Sequence, residues 1–137
     1  MKKAAGFAVL ILVVVVGCAS MEQRSRFEKF SEISESFERA LRMSDYTRAA
    51  KFIDPSHADI RPEIRRLRNF KIADYRITRM DVSDDKLKIT QDVELQYFRL
   101  NSNILHRSSY SQIWKFQPEE KVWLLQTGLP DFRPQRP

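Results

Sequence analysis

The sequence predicts an α+β domain, with helices gathered on one face of a four-stranded antiparallel sheet. Two observations carry this. Up to about Arg68 the apolar residues recur at three- and four-residue steps, as on a helix face; from Phe70 onward they recur at every second position, as on a strand. The two kinds of segment do not alternate. A run of helices followed by a run of strands indicates an antiparallel sheet with its helices segregated, not a parallel βαβ fold.

The first helix is marked by Phe27, Phe30, Ile33, Phe37 and Leu41, with Glu28, Lys29, Glu32, Glu35, Glu38 and Arg39 filling the other side. Ser44-Asp45 breaks it and offers an N-cap for a second short helix from Tyr46 to about Ile53. Asp54-Pro55 stops that helix, because the residue before proline is driven out of the helical region. A third helical piece runs from about Pro62 to Arg68 with Ile60, Ile64 and Leu67 as its stripe.

In the first strand Ala73, Tyr75 and Ile77 alternate with Asp74, Arg76 and Thr78. Met80 and Val82 fall on the other parity, which calls for a bulge near Thr78. Ser83-Asp84-Asp85 turns the chain. The second strand is the clearest: Leu87, Ile89, Gln91, Val93, Leu95 and Tyr97 share the buried parity, and Lys88, Thr90, Asp92, Glu94 and Gln96 the wet one. Asn101-Ser102-Asn103 leads to a third strand, about Ile104 to Phe116, and Gln117-Pro118-Glu119-Glu120 to a fourth, Val122 to about Thr127. Gly128, Pro130 and Pro134 end regular structure, and residues 133–137 are expected to fray.

The N-terminus reads as an address. Lys2 and Lys3 precede the uncharged apolar stretch Ala4–Val16, which is 13 residues long. A spanning helix needs roughly 20, so the stretch suits the core of a secretory signal better than a permanent anchor. It ends in Val15-Val16-Gly17-Cys18, which resembles the lipobox of bacterial lipoproteins. The resemblance implies cleavage after residue 17 and acylation of Cys18. Each buried methylene adds about 0.8 kcal/mol, so two or three chains hold a protein firmly where one does not. Ordinary cleavage to a soluble secreted protein, or an uncleaved anchor, are the competing readings. Cys18 is the one cysteine, so no intrachain disulfide accounts for it.

The organisation expected is therefore a signal peptide over 1–17, a lipidated tether over 18–25 and a folded domain over 26–132. Because Ala19 to Arg24 holds no Pro or Gly, the tether is able to run straight into the first helix. An Asp after the lipidated cysteine resembles an inner-membrane retention signal; Ala19 and Ser20 stand there instead, which favours the outer membrane, facing the periplasm. Losing Lys2 and Lys3 from 24 basic residues leaves 22 against 18 acidic, a net +4. That mild excess, in an exported chain, speaks against nucleic acid as a partner.

Two segments carry a further resemblance. Phe37 through Pro55, a helix, an Asp-led turn and a second helix, is similar to the opening of the NTF2-like (cystatin-like, SnoaL-like) superfamily. Tyr110-Ser111-Gln112-Ile113-Trp114-Lys115-Phe116, a turn and Val122-Trp123-Leu124-Leu125 resemble its last hairpin. The resemblance implies a curved sheet wrapped around a long helix, a cone with an apolar pocket at its open end. That superfamily includes isomerases, dehydratases and hydrolases as well as non-catalytic binding domains, and fold alone does not choose among them.

The residues themselves lean away from catalysis. A general base must sit on the buried face, where its pKa can be tuned. Asp92 and Glu94 fall on the wet parity, and Asp45 is explained as a helix cap. His106 and Asp74 are the candidate bases if there is an enzyme. His57 lies in the loop after Pro55. No His/Cys/Asp cluster has metal-ligand spacing, no Gly-rich phosphate loop is present among only three glycines, and no Ser nucleophile motif occurs, so no metal or cofactor is expected. The candidate pocket residues are Gln91, Tyr97, His106, Tyr110 and Trp114. Most of the strand aromatics are expected to be core, and the remainder to offer ring faces to an apolar or flat ligand. Arg61, Arg65, Arg66 and Arg68 form a basic run, either a solvated helix face or a contact for an anionic surface or partner.

The leading expectation is a membrane-tethered, non-catalytic domain that binds an envelope protein or a small apolar ligand. The rivals are a small enzyme using the same pocket and a structural module whose sheet face forms a homodimer.

Overall fold

In the computed structural model the backbone is described for residues 2–132 and side chains for residues 20–132. Three helices, α1 (Lys2–Arg42), α2 (Tyr46–Ala50) and α3 (Arg61–Leu67), precede four strands, β1 (Phe70–Val82), β2 (Lys88–Arg99), β3 (His106–Gln117) and β4 (Val122–Leu125). By internal contacts the chain falls into two units, Met1–Glu32 and Ile33–Pro137. In the first, the helix carries an exposed Arg24–Glu28 ion pair at 3.8 Å. Residues 18–25, expected as a tether, lie within α1. The side chains of the expected signal segment and of Cys18 lie outside the described residues. Among the described residues no helix is long and apolar enough to cross a membrane.

The second unit is α+β, with its helices packed against a four-stranded antiparallel open sheet of order β1-β2-β3-β4. Asp45 caps α2 as expected: its carboxylate accepts the backbone N–H of Arg48 at 3.1 Å. α2 is shorter than the expected Tyr46–Ile53, since Ile53 leaves the helix to bridge Leu125 in parallel. Asp54 N–H donates to the Leu125 carbonyl and Leu125 N–H to the Phe52 carbonyl, both at 2.8 Å, so the chain leaving α2 seals the free side of β4.

β2 has the predicted alternation. Ile89, Gln91, Val93, Leu95 and Tyr97 are buried. On the other face Glu94 binds Arg76 at 3.0 Å and Asp92 accepts the Ser111 hydroxyl at 2.6 Å. In β1 the register shifts twice, between Ile72 and Asp74 and between Ile77 and Arg79. The second shift is the bulge expected near Thr78. The first corrects the expected alternation of Ala73, Tyr75 and Ile77: an extra residue at Ala73 places Ile72 and Tyr75, three apart, on the buried face and leaves Ala73 exposed. Arg42 holds this point, donating to the Tyr75 carbonyl at 3.0 Å while its Nε binds Glu38 at 2.9 Å.

The core lies between the helices and the inner sheet face. Phe37, fully buried on α1, meets Trp114 edge-on with centroids 5.5 Å apart and Phe52 at 6.0 Å. Leu41, Ala49, Leu67, Trp123 and Leu125 complete it.

Candidate functional site

Antiparallel register decides which residues share a face. Gln91 pairs with Gln112, Val93 with Tyr110, Ile89 with Trp114 and Tyr97 with His106. All five candidate pocket residues therefore belong to the inner face. The structure separates them along it. Toward the middle the helices close over the face; at the end formed by the start of β1, the end of β2 and the start of β3, α2 and α3 reach only β1, where Tyr46 Oη donates to the Phe70 carbonyl at 2.9 Å, and a cavity remains beside them.

In the closed part, Gln112 is wholly buried and uses both ends of its amide: Nε2 donates to Tyr75 Oη at 2.6 Å, and Oε1 accepts Trp114 Nε1–H at 2.9 Å. Burial pushes the Tyr75 phenol up to about 12, with the Gln112 bond opposing. The Tyr110 hydroxyl donates to the Gly128 carbonyl, and burial holds its pKa well above the ordinary tyrosine value. Gln91 is 2% exposed; its Nε2 reaches Met80 Sδ at 3.6 Å and its Oε1 has no hydrogen-bond partner. Gln91, Tyr110 and Trp114 are thus buried; of the three, Tyr110 borders a cavity of about 390 Å³ beside Thr78, Asp92 and Ser111. Phe37 packs on Trp114, and the Gly128 carbonyl after β4 takes the Tyr110 hydroxyl.

At the open end lies a cavity of about 600 Å³. That volume falls within the range of small-molecule sites. Tyr97 and His106, the other two candidates, form one wall. Their rings stack with centroids 5.4 Å apart and planes 26° off parallel. Phe132 stacks on Tyr97 at 3.9 Å and 19°, and makes no ring contact with His106, so Tyr97 is the middle ring of three. Phe70 meets Tyr97 and Phe132 at 5.7 and 5.5 Å. Burial, then the negative charge of Asp131, raises the Tyr97 phenol above its ordinary value. Arg99, Arg107, Asn101 and Ser102 supply the polar rim. The Arg99 guanidinium lies 5.5 Å from the centre of the Phe70 ring.

Phe132 is held where it is by contacts distant in sequence. Glu63 on α3 accepts the Leu129 N–H at 3.1 Å, and its other oxygen lies 3.8 Å from His57 Nε2. A Cβ at position 128 would stand 2.8 Å from both Glu63 carboxylate oxygens and 3.1 Å from His57 Nε2, so a larger residue there would push the Glu63 carboxylate aside. Residues 128–132 have no regular structure, yet Leu129, Pro130 and Phe132 are buried. Glu63, Phe70, Arg99 and Phe132 were not singled out from the sequence. The alternation of β1 and β2 carried a signal for Phe70 and Arg99 as strand-end residues; nothing local marks Glu63 or Phe132.

The basic run disperses. Arg61 is taken up by Asp59, its Nε 2.9 Å from Oδ1. Arg65 and Arg68 are exposed. Arg66 turns toward a smaller cavity of about 190 Å³ that shares Phe70, Arg99 and Phe132 with the larger one. Of the two candidate bases, Asp74 is about half exposed and 3.8 Å from Arg42, away from the cavity. His106 lines the cavity and has no ion-pair partner among the described residues. Among the described residues no group of three or more His, Cys, Asp or Glu could hold a metal ion.

Compared with known proteins, the chain matches no family model, no curated protein and no solved structure.

Proposed function

We propose that the chain is a lipid-anchored protein of the bacterial envelope whose folded domain binds a small, largely apolar molecule at the open end of its sheet, without catalysing a reaction. The observation that carries the binding reading is the wall of stacked rings, Phe132, Tyr97 and His106, beside a cavity of ligand size. Tyr97 and Phe132 are buried and back the wall, and His106 is the ring left exposed at its surface. The base candidates support binding over catalysis: Asp74 is turned away, and His106 has a ring and two arginines for company but no carboxylate to orient it.

In this reading the domain is an NTF2-like cone. Its support is the capped α2 after the Asp45 turn, the tryptophan-bearing final hairpin with Trp114 and Trp123, and the cavity at one end of the sheet. The anchor reading rests on Val15-Val16-Gly17-Cys18.

Each part has its own test. A neutral flat probe, 2-naphthylmethanol, is dialysed to equilibrium against the full chain in phosphatidylcholine nanodiscs, with empty nanodiscs as blank. The wild type is expected to bind it and His106→Leu, which keeps apolar bulk but removes the exposed ring face, to lose at least about tenfold in affinity. Equal binding by both would contradict the site. For the anchor, Cys18→Ala is expected to abolish acylation and leave an uncut precursor or a soluble product. A processed, membrane-bound Cys18→Ala protein would overturn it.

A further inference from the structure

The open end differs from an ordinary apolar pocket in its charge, and that difference names a ligand class. The larger cavity has two guanidinium groups on its rim, Arg99 and Arg107, and no carboxylate in its lining. Arg107 is partly engaged: its Nη1 lies 4.0 Å from Glu94, which Arg76 already holds at 3.0 Å. Arg99 has no ion pair among the described residues and lies against the Phe70 ring. It also borders the smaller cavity, where the nearest carboxyl is that of the exposed Asp131. A guanidinium presents a planar fork suited to two carboxylate oxygens, and a neighbouring ring fixes its plane. Beside it, His106 is exposed and stacks on Tyr97 through one face only, which leaves a second ring face toward the cavity.

Resting on the reading of the open end as a binding cavity, we infer that the ligand is a flat organic anion, its ring system against the Tyr97–His106 wall and its carboxylate on Arg99. The two requirements sit at one end of one strand pair: Tyr97 and Arg99 are two residues apart on β2, and His106 opposes Tyr97 on β3. Residues of like parity share a face, so Arg99 continues the inner row just beyond the last ring. A molecule with an anionic group at one end of a fused ring therefore meets rings and cation together, while Asn101 and Ser102 offer hydrogen bonds at the mouth.

The test compares 2-naphthoate with 2-naphthylmethanol, which share a ring system and differ in charge. Both are dialysed against the full chain in phosphatidylcholine nanodiscs, so that no anionic headgroup competes, with empty nanodiscs as blank. The wild type is expected to bind the carboxylate about tenfold more tightly, the scale of one charge-assisted bidentate contact. Arg99→Gln should erase that preference by weakening 2-naphthoate far more than 2-naphthylmethanol, and Arg107→Gln should reduce it less. Equal affinity for the two probes in the wild type, or a preference that survives Arg99→Gln, would overturn the anion assignment while the binding reading stood. If neither probe binds, the binding reading fails and the assignment with it.

Discussion

The middle and the open end of the inner sheet face are built from the same materials, aromatic rings with polar groups between them, and use them oppositely. In the middle, Gln112 links Tyr75 and Trp114 under Phe37, and each amide end is spent on a partner within the core. At the open end, Tyr97 is stacked between Phe132 and His106, but His106 and Arg99 keep faces and protons that the fold does not use. Polar groups in the first region stabilise the fold; those in the second are available to something else. A buried polar group without its partner costs about 1–3 kcal/mol, whereas an exposed one costs almost nothing to leave free.

Substitutions should therefore separate the two regions. Gln112→Leu strips Tyr75 Oη and Trp114 Nε1 of the amide they share, and should destabilise the fold by on the order of 4 kcal/mol in urea unfolding, two desolvated groups at once. A loss under about 1 kcal/mol would mean that the two Gln112 bonds do not hold the middle together.

Alkaline pH should find the same region. Tyr75 and Tyr110 have phenols whose folded pKa is raised above the ordinary value near 10, so the folded state holds those protons more tightly than the unfolded chain does. Their contribution is fully present below pH 10 and is lost as pH rises from there through the folded value, about 12 for Tyr75. For Tyr75 alone the loss is on the order of 2–3 kcal/mol. Stability measured from pH 8 to 12 should be flat with respect to these groups up to about 10 and then fall, and Tyr75→Phe should make the fall shallower.

At the other end the same measurements should barely move. His106→Ala gives up an exposed stacked ring, and should cost about 0.5–1 kcal/mol. Arg99→Gln should change stability by no more than about 0.5 kcal/mol. If Arg99→Gln destabilised the fold as much as Gln112→Leu, the open end would be a structural region like the middle.

The sequence made one part of this contrast legible and hid the other. β2 could be read residue by residue because it keeps one register over its whole length, and period 2 then sorts every side chain. The bulge near Thr78 was visible because Met80 and Val82 fall on the wrong parity. The one at Ala73 was not: a small residue between Ile72 and Asp74 breaks no pattern, and the shift shows only in pairing with Tyr97 and Gln96. The face carrying Gln91, Tyr97, His106, Tyr110 and Trp114 followed from alternation. Which of the five stay uncovered did not, because cover comes from far along the chain. Phe37 reaches Trp114 across 77 positions of sequence, and Phe132 reaches Tyr97 at the end of a segment whose Leu129 N–H is held by Glu63, 66 residues earlier. Periodicity reports faces; it carries no signal for such meetings.

The central claim, that the open end is the binding region, is met most directly by mapping where a probe lands. Isotope-labelled full chain in nanodiscs is titrated with 2-naphthylmethanol and amide shifts are followed by NMR. Shifts concentrated on residues 97–106 and on Phe70 and Phe132, with Gln112 and Trp114 unmoved, are the predicted result. Saturable shifts centred on any other surface, or none at all, would contradict it.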